Sequence, residues 1–247
     1  MYRLLYIGFI SLFLATTAFG SVTFEDANRQ YRAGDFSGAT AAYEKLLTSE
    51  GPRAAVLYNL GNSYLNLKKY GLAILAYERA SLLTPRDRDL LTNLALARKA
   101  AASPEQVSAN PRLEAVLKYL SRDEWSWLVA GSALFIGAIV VLCGSVRLPK
   151  RTFHSLISAT CVAGFLVVVG SAVLYLRRSE KDRGMIISET AVVRLSPFEK
   201  AESLGTPGLG KTVLLGVKNG DFQYVVVAGA NLQGWLASKD VAAIVPE

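Results

Sequence analysis

Apolar residues follow three different rhythms along this chain. In the middle, residues 128–146 and 155–176 form two apolar runs without a charged side chain, joined by the basic turn Arg147-Leu148-Pro149-Lys150-Arg151. A helix needs roughly 20 mostly apolar residues to cross about 30 Å of hydrocarbon, where its backbone polar groups must all be satisfied internally. Both runs meet that length, so residues 125–177 are predicted as two transmembrane helices with a short turn between them. Trp125 and Trp127 at the start, and Tyr175 at the end, are predicted at headgroup depth, where amphipathic rings are enriched. Small residues four apart, Ala133 with Gly137 and Ala159 with Ala163, would let the two helices pack on each other or on another membrane protein.

From residue 21 to residue 100 the rhythm is helical, and it repeats. A shift of 34 places lays Ala27 on Gly61, Asn28 on Asn62, Phe36 on Tyr70, Ala39 on Ala73, Tyr43 on Tyr77 and Glu44 on Glu78. A further shift lays Leu60 on Leu94 and Gly61 on Ala95. This segment is predicted as two full helix–turn–helix units plus a terminal helix, with breaks at Gly34-Asp35 and Lys68-Lys69 and with Pro85 closing the second unit. Small residues, Ala27 or Gly61 facing Ala39 or Ala73, mark where the paired helices cross; Tyr43 and Tyr77 fill the space beside them.

Leu60-Gly61, Tyr64, Ala73, Tyr77, Ala80 and Pro85 resemble the tetratricopeptide repeat motif, while the first unit departs from it at Asp26, Gln30 and Gly51. The resemblance implies an all-α array whose concave groove, lined by the first helix of each unit, binds extended or helical peptide segments. The groove positions it implies are Phe24, Asn28, Tyr31 and Arg32 in the first unit, and Tyr58, Asn62, Leu65 and Asn66 in the second. Asn pairs with a peptide backbone in both directions, and Tyr offers contact area with a polar tip. The alternative is that these residues form a solvated helix face or meet a neighbouring domain. Asn28 and Asn62 fall where the family's chaperone-tail clamp keeps asparagine, but Phe24 and Asp89 stand where that clamp needs lysines, so no carboxylate clamp is expected.

Residues 101–124 are predicted as a linker and an amphipathic helix. Ser103-Pro104 and Asn110-Pro111 mark the linker, and Leu113, Val116, Leu117 and Leu120 recur at helical spacing after it. That stripe suits either the membrane surface or the repeats. From residue 184 the rhythm becomes short β-branched runs separated by glycine: Thr190–Val193, Thr212–Val217, Gln223–Val227 and Gly234–Ala237. Val193-Arg194-Leu195-Ser196-Pro197 and Gly234-Trp235, in that order, resemble the bacterial SH3-like domain over residues 184–247, which implies a small all-β barrel that binds ligands such as peptidoglycan. Trp235 is the ligand-stacking candidate there, its other reading being a barrel-edge aromatic.

Candidate chemistry is sparse. Gly205-Thr206-Pro207-Gly208-Leu209-Gly210-Lys211-Thr212 fits G-x-x-x-x-G-K-[ST] letter for letter. A phosphate loop needs a buried strand before it and a helix after it, and here Val213-Leu214-Leu215-Gly216-Val217 reads as strand, so a P-loop NTPase is the weakest reading. The sole histidine, His154, sits at the start of a span, and both cysteines, Cys143 and Cys161, lie inside spans; neither a triad nor a metal site is expected, and no cofactor. The sequence therefore points away from an enzyme.

Net charge is +7, and five of those seven charges fall between residues 112 and 183. A juxtamembrane excess suits anionic lipid headgroups, and it argues against nucleic acid, which needs a basic face on a folded domain. Residues 1–20, with Arg3, an apolar stretch and small residues at Ala18 and Gly20, are predicted as a signal peptide, an uncleaved anchor being the alternative. Either exports Ser21 onward, so two spans leave only residues 147–154 on the cytoplasmic side. Arg177, Arg178, Lys181 and Arg183 run against the positive-inside rule in that topology.

The order of signal peptide, repeats, two-span hairpin and SH3-like module resembles the BatE proteins of bacterial aerotolerance operons. The resemblance implies a multidomain protein of the bacterial inner membrane whose folded parts lie on the periplasmic side. Its implied partners are von Willebrand A-type membrane proteins and an associated AAA+ ATPase in an envelope-stress complex. The expected role is a non-enzymatic scaffold, with a peptidoglycan adaptor as the alternative.

Overall fold

The computed structural model describes residues 23–103, 110–146 and 149–245; the predicted signal peptide lies outside them. The repeat region forms α1 (Phe24–Arg32), α2 (Phe36–Glu50), α3 (Ala54–Asn66), α4 (Tyr70–Leu83) and α5 (Arg88–Ala100). Side-chain caps start three of them. The Thr23 hydroxyl accepts from the Asp26 amide at 3.1 Å, Asp35 accepts from Gly38 at 2.8 Å, and Asp87 accepts from Asp89 and Leu90 at 3.0 and 3.1 Å. The two breaks come where the period puts them. Gly34 and Lys68 both have left-handed backbone, φ 80° and 59°, so a lysine adopts in the second unit a conformation that glycine adopts in the first.

Consecutive helices pack as antiparallel neighbours around a core of Ala27, Ala39, Tyr43, Leu46, Leu57, Ala73, Ile74, Tyr77 and Ala80. Gly61 is buried, and a Cβ there would stand 2.5 Å from Cε1 of Tyr77. The crossing therefore requires glycine at this point, and even alanine would force the ring aside.

After the repeats come α6 (Pro111–Tyr119), α7 (Arg122–Ser145) and α8 (Lys150–Leu176), of which α7 and α8 are long and apolar enough to cross a membrane. Helix α7 starts at Arg122, inside the stretch assigned to the amphipathic lead-in, because Ser121 and Glu124 form a capping box that opens the helix early. The hairpin closes on Gly170, where a Cβ would lie 2.5 Å from Val129 Cγ2. Of the two tryptophans at the start of α7, Trp125 is 8% exposed and packs near Gly170, while Trp127 is 78% exposed. Of the predicted small-residue pairs, Ala163 is buried, but a Cβ on Gly137 would meet nothing, so the Ala133 and Gly137 face is open. Cys143 and Cys161 are free thiols.

Two arginines hold the joint where the repeats, α6 and the hairpin meet. Arg177, directly after α8, is 4% exposed; it donates to Glu180 at 2.9 Å and to the carbonyls of Leu117 and Leu120 at 3.2 and 2.9 Å. Arg86, after Pro85, donates to the Tyr119 carbonyl at 2.8 Å and to Glu124 at 2.6 Å. Arg177, one of the charges that runs against the positive-inside rule, is thus a structural residue here.

The C-terminal region is an antiparallel sheet of β1 (Arg183–Ile186), β2 (Val193–Arg194), β3 (Ser203–Gly205), β4 (Thr212–Asn219), β5 (Phe222–Val227), β6 (Gln233–Ala237) and β7 (Val241–Ala243), in the order β3-β2-β6-β5-β4-β1-β7. Val193, Val213, Val225, Val227, Leu236 and Ile186 fill its core, with Val225 and Val227 two apart on one face of β5. The predicted run from Thr190 narrows to Val193 and Arg194, while β1, β3 and β7 are additional strands. The sheet packs against α4. Met185 and Ile244 are buried within the helical core, each contributing about 1.5–3 kcal/mol by the usual cost of exposing such a side chain. Gly71 of α4 is the socket, for a Cβ there would stand 2.6 Å from Leu209 Cδ1 and 2.7 Å from the Ile187 carbonyl. Arg79 of α4 donates to the carbonyls of Ala243 at 2.7 Å and Ile244 at 3.2 Å. Repeats and sheet are therefore in contact at one end of the hairpin.

Candidate protein-binding groove

First helices of successive units stand against one another, α1 on α3 and α3 on α5, and α1 and α3 carry all eight expected groove residues. Between these helices runs a polar network with the sequence period. Asn28 Oδ1 accepts from the Tyr43 hydroxyl at 2.6 Å and from Asn59 Nδ2 at 2.9 Å. Thirty-four residues on, Asn62 Oδ1 accepts from Tyr77 at 2.6 Å and from Asn93 Nδ2 at 3.0 Å. Each oxygen thus receives one bond from the second helix of its own unit and one from the first helix of the next. Asn93 also donates to the Tyr58 hydroxyl at 2.9 Å.

The other groove residues lie around this network. The Phe24 ring is 6.2 Å from that of Tyr43, with the Arg53 guanidinium over it at 5.6 Å. Tyr31 packs edge-on against Phe36 at 5.3 Å, and its hydroxyl accepts from Asn66 at 3.2 Å. Arg32 pairs with Glu25 at 2.5 Å across exposed surface. Tyr58 lies 6.1 Å from Tyr77, and Leu65 packs on the core. Arg32 and Asn66 are exposed, whereas Phe24, Asn28, Tyr31, Tyr58, Asn62 and Leu65 are half-buried. The face is a firm strip of aromatic and amide groups, with Arg32 and Asn66 as its exposed polar side chains. Asn59 and Asn93 escaped the sequence reading, although they too are 34 residues apart, and that register is the signal that finds them.

Burial shapes the electrostatics. Burial pushes the hydroxyls of Tyr64 and Tyr77 well above the ordinary tyrosine range; in Tyr64 the hydrogen bond to Glu44 adds to it. Burial lowers the Arg79 guanidinium, opposed by nearby Tyr64. Asp26 is held below the usual carboxylate range, first by the hydrogen bonds from Thr23 and then by Arg29.

Residues 54–87 match the tetratricopeptide repeat family model. That span is the α3–α4 hairpin with its closing Pro85. A repeat of this family, in a helical repeat array, suggests a protein–protein interaction scaffold. No curated protein and no solved structure matches the chain.

On the sheet, Trp235 is half-buried and lies outside the apolar core, on the face opposite Leu236. It pairs across strands with Tyr224, ring centroids 5.4 Å apart at 80°, and with Arg194 on its other side. The Gly205–Thr212 string connects β3 to β4, and its last residue begins a strand. Lys211 therefore leads into β4, whereas a phosphate would be held by the free amides of a helix N-terminus at that point.

Proposed function

We propose that this chain is a non-enzymatic, membrane-anchored scaffold that holds a protein segment on the strip formed by α1 and α3. The observation that carries it is the network linking Asn28, Tyr43 and Asn59 and its repeat at Asn62, Tyr77 and Asn93, which presets the strip so that binding need not order it. The architecture fits a BatE-like complex on the periplasmic side of a bacterial inner membrane, with von Willebrand A-type membrane proteins and their AAA+ ATPase as partners. The sheet is read as an SH3-like module. Affinity purification of the full chain in mild detergent tests the proposal. An integral-membrane partner is expected with the native chain and is lost with the exposed pair Arg32→Glu and Asn66→Lys. Recovery of no such partner, or unchanged recovery with the pair, overturns the proposal.

A second reading, a peptidoglycan adaptor, is favoured by the edge-to-face Tyr224–Trp235 pair on the outer face of the sheet, since exposed ring area there suits sugar or peptide surfaces. Cosedimentation of the full chain with isolated sacculi, lost on Trp235→Ala, would support it.

A further inference from the structure

We infer that α6 is a lipid-surface helix, with Leu113 and Val116 set into the boundary between the headgroups and acyl chains of the bilayer. The inference rests on reading α7 and α8 as membrane spans. Two observations carry it. First, α6 buries none of its side chains: Leu113, Val116 and Tyr119 are 48%, 52% and 65% exposed, and Leu113, Val116 and the half-buried Leu117 share one helical face. An apolar stripe that the folded chain leaves uncovered needs an outside partner.

Second, hydrogen bonds fix its depth. Arg177 follows Leu176, the last residue of α8, and holds the carbonyls of Leu117 and Leu120, while Arg86 holds that of Tyr119 and Glu124 near the start of α7. The last turn of α6 is thereby tied to the level at which both spans leave hydrocarbon. Leu120 and Ser121 are extended, with ψ of 150° and 164°, so α6 departs from the axis of α7 rather than prolonging it.

The charged flanks balance: Arg112, Lys118 and Arg122 stand with Glu114, Asp123 and Glu124, and Lys118 is paired with Glu114 at 2.5 Å, so α6 meets the bilayer by its apolar face rather than by charge.

The test places an environment-sensitive fluorophore on single cysteines in the full chain, on a Cys143→Ala, Cys161→Ala background. The chain is reconstituted into phosphatidylcholine–phosphatidylglycerol vesicles carrying doxyl quenchers near the headgroup or near the chain end. The labelled variants are Val116→Cys on the stripe, Ala115→Cys on the opposite face of α6, and Val168→Cys on the exposed side of α8. Expected is strong quenching of the Val168 label by deep doxyl, and quenching of the Val116 label by shallow doxyl that is several times that at Ala115. If the Val168 label is quenched but the Val116 label no more than that at Ala115, α6 is not a lipid-surface helix although the spans stand. Shielding of the Val116 label from water without lipid quenching, as when a second copy covers it, overturns the inference equally. An unquenched Val168 label removes both the spans and the inference.

Discussion

Asn62 supplies one oxygen to two donors, and a double-mutant cycle with Tyr77 measures whether that oxygen holds the repeats together. Tyr77 is fully buried, so Asn62→Ala leaves its hydroxyl without an acceptor and also releases Asn93. Stranding a buried donor costs about 1–3 kcal/mol, whereas removing the hydroxyl in Tyr77→Phe costs about 0.5–1.5 kcal/mol, the net worth of an ordinary hydrogen bond. In Asn62→Ala, Tyr77→Phe there is no buried hydroxyl left to strand, and Asn93 keeps its bond to the Tyr58 hydroxyl, so the double variant falls short of the summed single costs by about 1 kcal/mol or more. Thermal melts of the full chain in mild detergent, followed by helical circular dichroism, resolve this. A domain of the size of the helical array shifts by about 4–8 °C per kcal/mol. If Asn62 only lined a solvated face, Asn62→Ala would change stability by less than about 0.5 kcal/mol and the two substitutions would simply add, which would refute the network.

Three further outcomes are expected. Lys68→Gly should stabilise the array by up to about 1 kcal/mol by relieving a left-handed lysine, and Gly34→Ala should destabilise it by about 1 kcal/mol; matching signs in urea titrations would contradict the shared turn. The hydroxyls of Tyr64 and Tyr77 titrate above the unfolded value of about 10, so their contribution is complete below that pH and is lost as pH rises through the folded values. Tyrosinate absorbance should therefore appear together with loss of helical signal, and tyrosinate forming in a still-folded array would count against their burial. Arg79→Ala should raise amide exchange in β1 and β7 while sparing α1, through loss of two charge-assisted bonds of about 1.5–3 kcal/mol each; unchanged exchange there would mean that apolar contacts alone hold the sheet.

Much of the architecture was legible because it rests on periodicity. The 34-residue register gave both helix breaks and the crossings at Gly61 and Ala73, and uncharged length gave α7 and α8. What the sequence hid depends on contacts between distant segments. β1 is written Arg-Gly-Met-Ile without a β-branched run, since Met185 is there to enter the helical core. The packing of Trp125 against Gly170 of the facing helix is likewise absent from its local sequence. Asn28 and Asn62 read as binding residues because amides suit peptides, yet their oxygens first join helix to helix. Arg177 looks like misplaced charge until the carbonyls of Leu117 and Leu120 are seen to need a donor.

Because each asparagine oxygen takes one bond from within its unit and one from the next unit along, the array can change length by whole units. Inserting a second copy of residues 36–69 after residue 69 would bring a new Tyr43 to Asn62 and a new Asn62 to Tyr77, with every oxygen again served twice. The latch at Arg79 and the anchor at Arg86 would be carried along unaltered. Evolution could thus elongate the far tip of this protein while its foot stays planted.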